Sequence, residues 1–268
     1  MNAFTLIVFF GLSASTSPAE AAGSPSARDI MVRYEAAIKV PQFTAQATLT
    51  SVKKDGTTKE KVFTIWRKIK PAGARYQSLI RFSAPSEVKN EAILFSENDQ
   101  GANDILLYLP AYQKTRRIER TQQSSSFMGT DFSYSDLTTP HVEDFNYSLK
   151  KEEPCPSEPK ATCSKIEGDP ISDSIREQTG YSKSIWWVRK ADFMVVQSDH
   201  MDLAGAFVKR ILISEYEKLP SGKYFQKRVE VTHQKDQGKT TLRFADLKTT
   251  TKIEDSIFTQ QSLGKGLK

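Results

Sequence analysis

The chain has little of what an enzyme or a membrane-spanning protein would show. Its 268 residues include three histidines and two cysteines. His141, His200 and His233 stand in different segments, and none has a neighbour at metal-ligand spacing. There is no H-E-x-x-H, no G-x-S-x-G elbow, no G-x-G-x-x-G and no glycine-rich phosphate loop. Zinc-hydrolase, serine-hydrolase and nucleotide chemistries therefore have no motif to stand on, and no cofactor or metal is expected. Internal repeats, long linkers and low-complexity segments are also missing. The longest apolar run, "FTLIVFFGL" from Phe4 to Leu12, is too short to span a bilayer.

What is present describes an ordinary globular chain, 38% hydrophobic and 26% charged, long enough for a sizeable core. The formal charge of +6 is spread among interleaved acids and bases. It favours anionic partners such as phospholipid headgroups only weakly, and it makes no case for nucleic acid. The apolar run is followed by "AEAAG", where Ala19 and Ala21 fit an A-x-A cleavage pattern before Ala22. No Lys or Arg precedes the run, yet it lacks the spaced polar residues of a buried helix. Residues 1–21 are read as a secretory signal peptide and 22–268 as one domain. No cysteine stands near the cut, which argues against a lipid anchor. Cys155 and Cys163, in "EPCPSEPKATC", read as a disulfide closing a Pro-rich loop between two strands.

"SPSARDIMVRYEAAIKV" carries Ile30, Tyr34, Ala37 and Ile38 at helical spacing, with Pro25 and Ser26 before it and Pro41 after. From there strands dominate. "FTAQATLTSV" alternates with period two, and Asp55-Gly56 marks a hairpin into "VFTIW". Further strands are expected in "YQSLIRFS", "EAILFS", "DILLYLP", "EDFNYSLKKE", "TCSKIEG", "SKSIWWVRK", "DFMVVQSD", "AFVKRILISEYEK", "KYFQKRVEVTHQ" and "KTTLRFADLK", with a short helix at "EDSIFTQQSL". Strand after strand without long helices predicts a mainly β fold, a highly curved antiparallel sheet or barrel.

Several strands are apolar on both faces: Phe63 and Ile65 against Val62 and Trp66, Ile105 to Leu109 throughout, and Ile185 to Val188 throughout. Such a strand needs cover on both sides, or one face kept for an apolar ligand. Phe63, Ile65, Trp66, Leu107, Ile185, Trp187, Phe207 and Ile211 are the candidate cavity residues, with two strand registers open between them. Arg116, Arg117 and Arg120 beside Tyr108 and Tyr112 could mimic a single-strand nucleic-acid surface, which an exported protein would not need. Thr130 beside Asp131, with His141 as the nearest base, is a weak hydrolase constellation. A structural turn fits better, with Gly129 supplying a positive φ and Asp131 and Asp136 capping backbone amides.

The stretch "LLYLPAYQKTRRIERTQQSSSFMGTDFSYSDL" resembles a segment shared by a branch of the LolA/LolB-like outer-membrane lipoprotein-sorting family. Leu109, Pro110, Arg116, Arg117, Phe127, Gly129, Thr130, Asp131, Phe132, Tyr134, Asp136 and Leu137 carry the match, with Met128 between. The Cys-bearing segment is not part of that pattern. The resemblance implies a half-open antiparallel barrel with an N-terminal helix and short lid helices. It further implies an apolar cavity, no catalysis, a periplasmic address, and a monomer that carries lipoprotein acyl chains or another lipid towards the outer membrane. Transient membrane contact and an inner-membrane transporter or exporter as partner are implied with it. The Arg116–Asp136 stretch would form a gate or docking edge. The alternative is a non-enzymatic periplasmic interaction module, or accessory subunit of an exporter, whose hollow is filled by its own side chains.

Overall fold

The computed structural model describes residues 24–265, apart from Ala72, Ala74, Gln100, Pro140 and Asp236, together with Met1. The expected signal peptide, Met1 aside, lies outside the described residues. Helix α1, Ala27–Ile38, begins where the sequence places it. The Ser26 hydroxyl accepts from the Asp29 amide at 3.2 Å, and the Asp29 carboxylate accepts from the Ser26 amide at 3.1 Å. Ala27, Ile30, Met31 and Tyr34 form its buried stripe, at spacings of three and four residues.

Six strands then run as a meander: β1 (Gln42–Val52), β2 (Thr58–Ile69), β3 (Tyr76–Ala84), β4 (Ala92–Ser96), β5 (Asp104–Leu109) and β6 (Lys114–Arg117). Seven more follow a long crossing: β7 (Phe145–Cys155), β8 (Glu158–Pro170), β9 (Lys183–Arg189), β10 (Val195–Met201), β11 (Phe207–Lys218), β12 (Tyr224–His233) and β13 (Lys239–Lys248). All pair antiparallel in one sheet, ordered β6-β5-β4-β3-β2-β1-β13-β12-β11-β10-β9-β8-β7. The two meanders join through β1 and β13, from Thr44 opposite Lys248 to Val52 opposite Lys239. β6 and β7 are left as edges, so the curved sheet is a half-open barrel.

The two-faced strands are covered twice. Phe63, Ile65, Ile80, Phe82, Ile105 and Leu107 face the concave side and its main core. Their neighbours Trp66, Leu79, Leu94 and Leu106 face the convex side, under Ile253, Phe258 and Leu263 of the C-terminal segment. That segment holds the expected closing helix in two pieces, a turn at Asp255–Ile257 and α3 at Gln260–Leu263. Arg81 fastens it, donating to the carbonyls of Ser262, Leu263 and Lys265 at 3.0 to 3.3 Å. Helix α2, Asp173–Thr179, has no counterpart in the sequence reading, because "DSIREQT" holds one large apolar residue and shows no stripe. Among the described residues no helix is long and apolar enough to cross a membrane.

Cys155 and Cys163 are bonded. The segment around them is not the loop expected from its prolines, since β7 runs to Cys155 and β8 starts at Glu158. Pro154 sits opposite Thr162 inside the ladder. An edge strand tolerates it, because the missing N–H would face no partner. Cys155, Cys163, Trp187 and Val196 form a small convex cluster of their own. Replacing both cysteines by serine removes a short closed loop worth about 2–3 kcal/mol by loop-closure entropy. Urea unfolding of the oxidised protein and the double variant measures that loss, and the circular-dichroism spectrum should stay unchanged.

Candidate functional site

The described residues between β6 and β7, 118–139 and 141–144, cross the hollow side from one sheet edge to the other. They form a strap whose aromatic residues point inward. Phe127, fully buried, lies 5.4 Å from Tyr134, 6.2 Å from Phe82 and 6.5 Å from Phe95 between ring centres. Phe82 in turn sits 5.4 Å from Phe63. The stretch between Phe127 and Phe132 is a tight turn closed by the Phe127 amide on the Phe132 carbonyl at 2.7 Å. Met128 and Gly129 take φ of 51° and 74°, the second as the sequence reading expects. Thr130 is no nucleophile in waiting: its hydroxyl donates to the Phe127 carbonyl at 2.7 Å. Asp131 accepts from the Thr240 hydroxyl at 2.6 Å, and among the described residues its carboxylate accepts from no backbone amide.

Asp136 ties the strap to the β9–β11 half of the sheet. One carboxylate oxygen accepts from the Ser133 amide at 2.7 Å and from Lys209 Nζ at 2.6 Å, the other from the Tyr181 hydroxyl at 2.7 Å. Both charged side chains are buried, 3% and 6% exposed, so each is the other's main compensation. Burial alone would raise the Asp136 pKa, but the Lys209 ammonium and the Ser133 amide bring it below the ordinary carboxylate value. Arg116 and Arg117, read with Asp136 as part of one gate or docking edge, stand on the edge strand β6 and do not contact Asp136 among the described residues. They project to solvent from β6, Arg116 to Gln122 at 3.2 Å and Arg117 to Asp104 at 2.9 Å. The sequence reading missed Lys209, which looks like one more solvated charge in "FVKRILIS".

Three residues on, the strap meets the other half. Arg67 of β2 donates to the Leu137 carbonyl at 3.4 Å, to the Thr139 hydroxyl, and to Glu97 at 2.8 Å. Glu97 also accepts from the Thr139 amide at 3.0 Å. His141 lies between Glu97 at 3.3 Å and Glu35 of α1 at 3.5 Å. Strap, helix and sheet therefore meet in one polar knot.

Beside the strap a cavity of about 580 Å³ remains. Phe43, Trp186, Val229, Phe225, Leu242 and Phe244 give its apolar wall, α1 and the strap its cover. Of the expected cavity residues, Ile211 lines it. Phe63, Ile65 and Leu107 are on the concave side but in the part the strap fills. Strict alternation turns Trp66, Ile185 and Trp187 to the convex side, where Trp187 joins the disulfide and Trp186 takes the inward place. Phe207 is exposed at the start of β11. Of the motif, Phe132, Asp136 and Leu137 line the cavity.

One polar patch of the wall lies on β9 and β10. His200 is buried and stacked on Tyr181 at 4.4 Å, with its Nδ1 2.8 Å from the Ser184 hydroxyl and its Nε2 2.9 Å from that of Ser198. Burial pushes its pKa down to about 4, with the Lys209 charge adding to the effect and Asp136 opposing it. The register explains the cluster: Ser184 of β9 is paired with His200 of β10, and Ser198 lies two residues away on the same face. Among the described residues no three His, Cys, Asp or Glu side chains converge to hold a metal ion.

Among the described residues, a thirteen-stranded half-open barrel with an N-terminal helix and a strap over an apolar hollow makes a fold of the kind seen in a LolA superfamily structure. A family profile described as "uncharacterized protein" matches residues 74–265, and the chain belongs to that family. Among solved structures it is similar to a domain from Vibrio parahaemolyticus provisionally described as an outer membrane lipoprotein-sorting protein. The TM-score is 0.82 at 22% identity, over 89% of this chain and 98% of that one. A DUF1329 family protein from Desulfovibrio piger gives 0.81 at 24% identity, over 88% and 97%. A LolA superfamily protein from Nitrosomonas europaea gives 0.69 at 17%, over 89% and 99%. No curated protein matches the chain.

Two measurements probe the polar anchor. Lys209→Met leaves a buried carboxylate without its counter-ion and should cost about 3–5 kcal/mol in urea unfolding, while Lys209→Met with Asp136→Leu should recover much of it. His200 is neutral in the folded protein and has the lower pKa there. Its stabilising contribution is thus complete above the unfolded value of 6.5 and lost as pH falls towards about 4. Between those limits stability should drop by on the order of 3 kcal/mol, and His200→Gln should flatten that slope.

Proposed function

We propose that the protein is a non-enzymatic lipid carrier of the Gram-negative periplasm. It takes an acyl chain of a lipoprotein, or of another lipid, into the concave cavity and moves it towards the outer membrane. The observation that carries this reading is the apolar hollow of about 580 Å³ left open beside the strap. Its size falls within the roughly 300–1,000 Å³ of pockets that enclose small ligands. Barrel architecture shared with a lipoprotein-sorting domain supports the same reading, as do the expected signal peptide and the disulfide, a bond of oxidising compartments. The rival module, with a hollow filled by its own side chains, suits the part under Phe127, not the part beside it.

Burying a chain is worth about 0.8 kcal/mol per methylene, on the order of 10 kcal/mol for a long one. A bilayer offers the same, so the transfer is nearly neutral in its hydrophobic term. Direction then comes from the headgroup or from a partner, for which an inner-membrane transporter is the natural donor. The chain acts as a monomer, with transient membrane contact at loading and release.

Mature protein purified without detergent should release lipid on solvent extraction, read by mass spectrometry, and the emptied protein should take up a fluorescent acyl probe. Ile211→Trp, which fills part of the cavity from a half-buried wall position, should weaken uptake at least about tenfold with the fold intact. A protein that neither co-purifies with lipid nor binds the probe is not a carrier.

A further inference from the structure

The polar patch of the cavity wall carries one proton too many for its own partners. A neutral imidazole has one N–H donor and one acceptor nitrogen. Its two ring nitrogens meet two serine hydroxyls, Ser184 at Nδ1 and Ser198 at Nε2. One serine must therefore donate to the ring and the other must accept from it. The accepting serine keeps its own O–H, whichever tautomer is present. Among the described residues neither hydroxyl has any other hydrogen-bond partner. Ser184, Ser198 and His200 all line the cavity, beside the apolar side chains of Trp186, Ile211 and Val195. A buried donor without an acceptor is costly, so this hydroxyl seeks an acceptor in the cavity.

The neighbourhood says what kind. An anion gains no counter-ion here, because the Lys209 ammonium beside the patch is already paired with the buried Asp136 carboxylate, which also binds the Tyr181 that stacks on His200. A saturated hydrocarbon offers no acceptor at all. A neutral carbonyl set into an apolar chain satisfies both conditions. Resting on the carrier reading, the geometry points to a cargo class: the cavity binds acyl esters, and the ester carbonyl accepts from Ser184 or Ser198 while the chain lies along the Phe225 and Phe244 wall. The imidazole is a positioning group that holds both hydroxyls at the cavity surface.

The test is a matched pair of ligands, 1-palmitoylglycerol and 1-hexadecylglycerol, which share a headgroup and chain length and differ in the ester carbonyl. Equilibrium dialysis against the mature wild-type protein should show the ester binding about fivefold tighter than the ether, the worth of one neutral hydrogen bond. In Ser184→Ala/Ser198→Ala that preference should fall to about one, with ether affinity held within about twofold. Equal affinities in the wild type, where folding is not in question, would overturn the carbonyl contact and leave the carrier reading standing. Failure of both ligands to bind would sink the carrier reading itself.

Discussion

β6 and β7 stand at opposite ends of the strand order, and the chain has to travel from one to the other across the hollow of the sheet. Everything on the concave side is arranged around that journey. A crossing backbone cannot borrow hydrogen bonds from a ladder it lies across, yet its amides still need partners. The strap supplies many of them itself: Ser135 donates to the Gln123 carbonyl at 2.9 Å, Tyr134 to Ser125 at 3.3 Å and Phe127 to Phe132 at 2.7 Å. It is a folded unit laid on the sheet, attached mainly through side chains. Phe127, Phe132 and Tyr134 then fill one part of the hollow, and the rest stays open.

The attachment is polar, and its placement matters more than its energy. Asp136 binds Tyr181 and Lys209 on one half of the sheet, and Thr139 binds Arg67 and Glu97 on the other. Three residues of chain reach at most about 10 Å. The two halves are thus held at a separation set by a few side chains. A buried ion pair rarely outdoes a well-packed apolar pair in stability, but it is strict about who its partner is. Asp136 and Lys209 fix where the strap lands. His141, between Glu35 and Glu97, extends the same strictness to α1.

Much of this was legible in the sequence, for local reasons. The capped amphipathic helix, the period-two strands, the hairpin at Asp55-Gly56 and the positive φ of Gly129 each follow from residues a few positions apart. The cysteine pairing follows from spacing and compartment. What was not legible depends on contacts far along the chain. Nothing in "SIWWV" says that Trp186 faces inward and Trp187 outward, since both faces are covered, one by α1 and the strap, the other by the disulfide hairpin. Lys209 becomes a buried charge only because Asp136, distant in sequence, comes to meet it. β10 hides its function differently. Its buried residues Gln197, Ser198, Asp199 and His200 are polar on both faces, so no hydrophobic period marks which side lines a cavity.

Departures from ordinary core chemistry gather in one place. A protein that needed only stability would set apolar residues at Lys209, Asp136, Ser184, Ser198 and His200, because each buried polar group costs free energy until it is paired. All five lie at the seam between the strap and the cavity, and Tyr181 touches both the Asp136 carboxylate and the His200 ring. On the carrier reading, the apolar wall cannot distinguish one fatty chain from another, since methylenes are alike and a bilayer holds them as well. Discrimination would have to come from polar groups that reach the hollow, among them Ser184, Ser198 and His200. These three belong to the same cluster that anchors the strap, so a cargo contact with them would bear directly on the group that sets the cavity's cover.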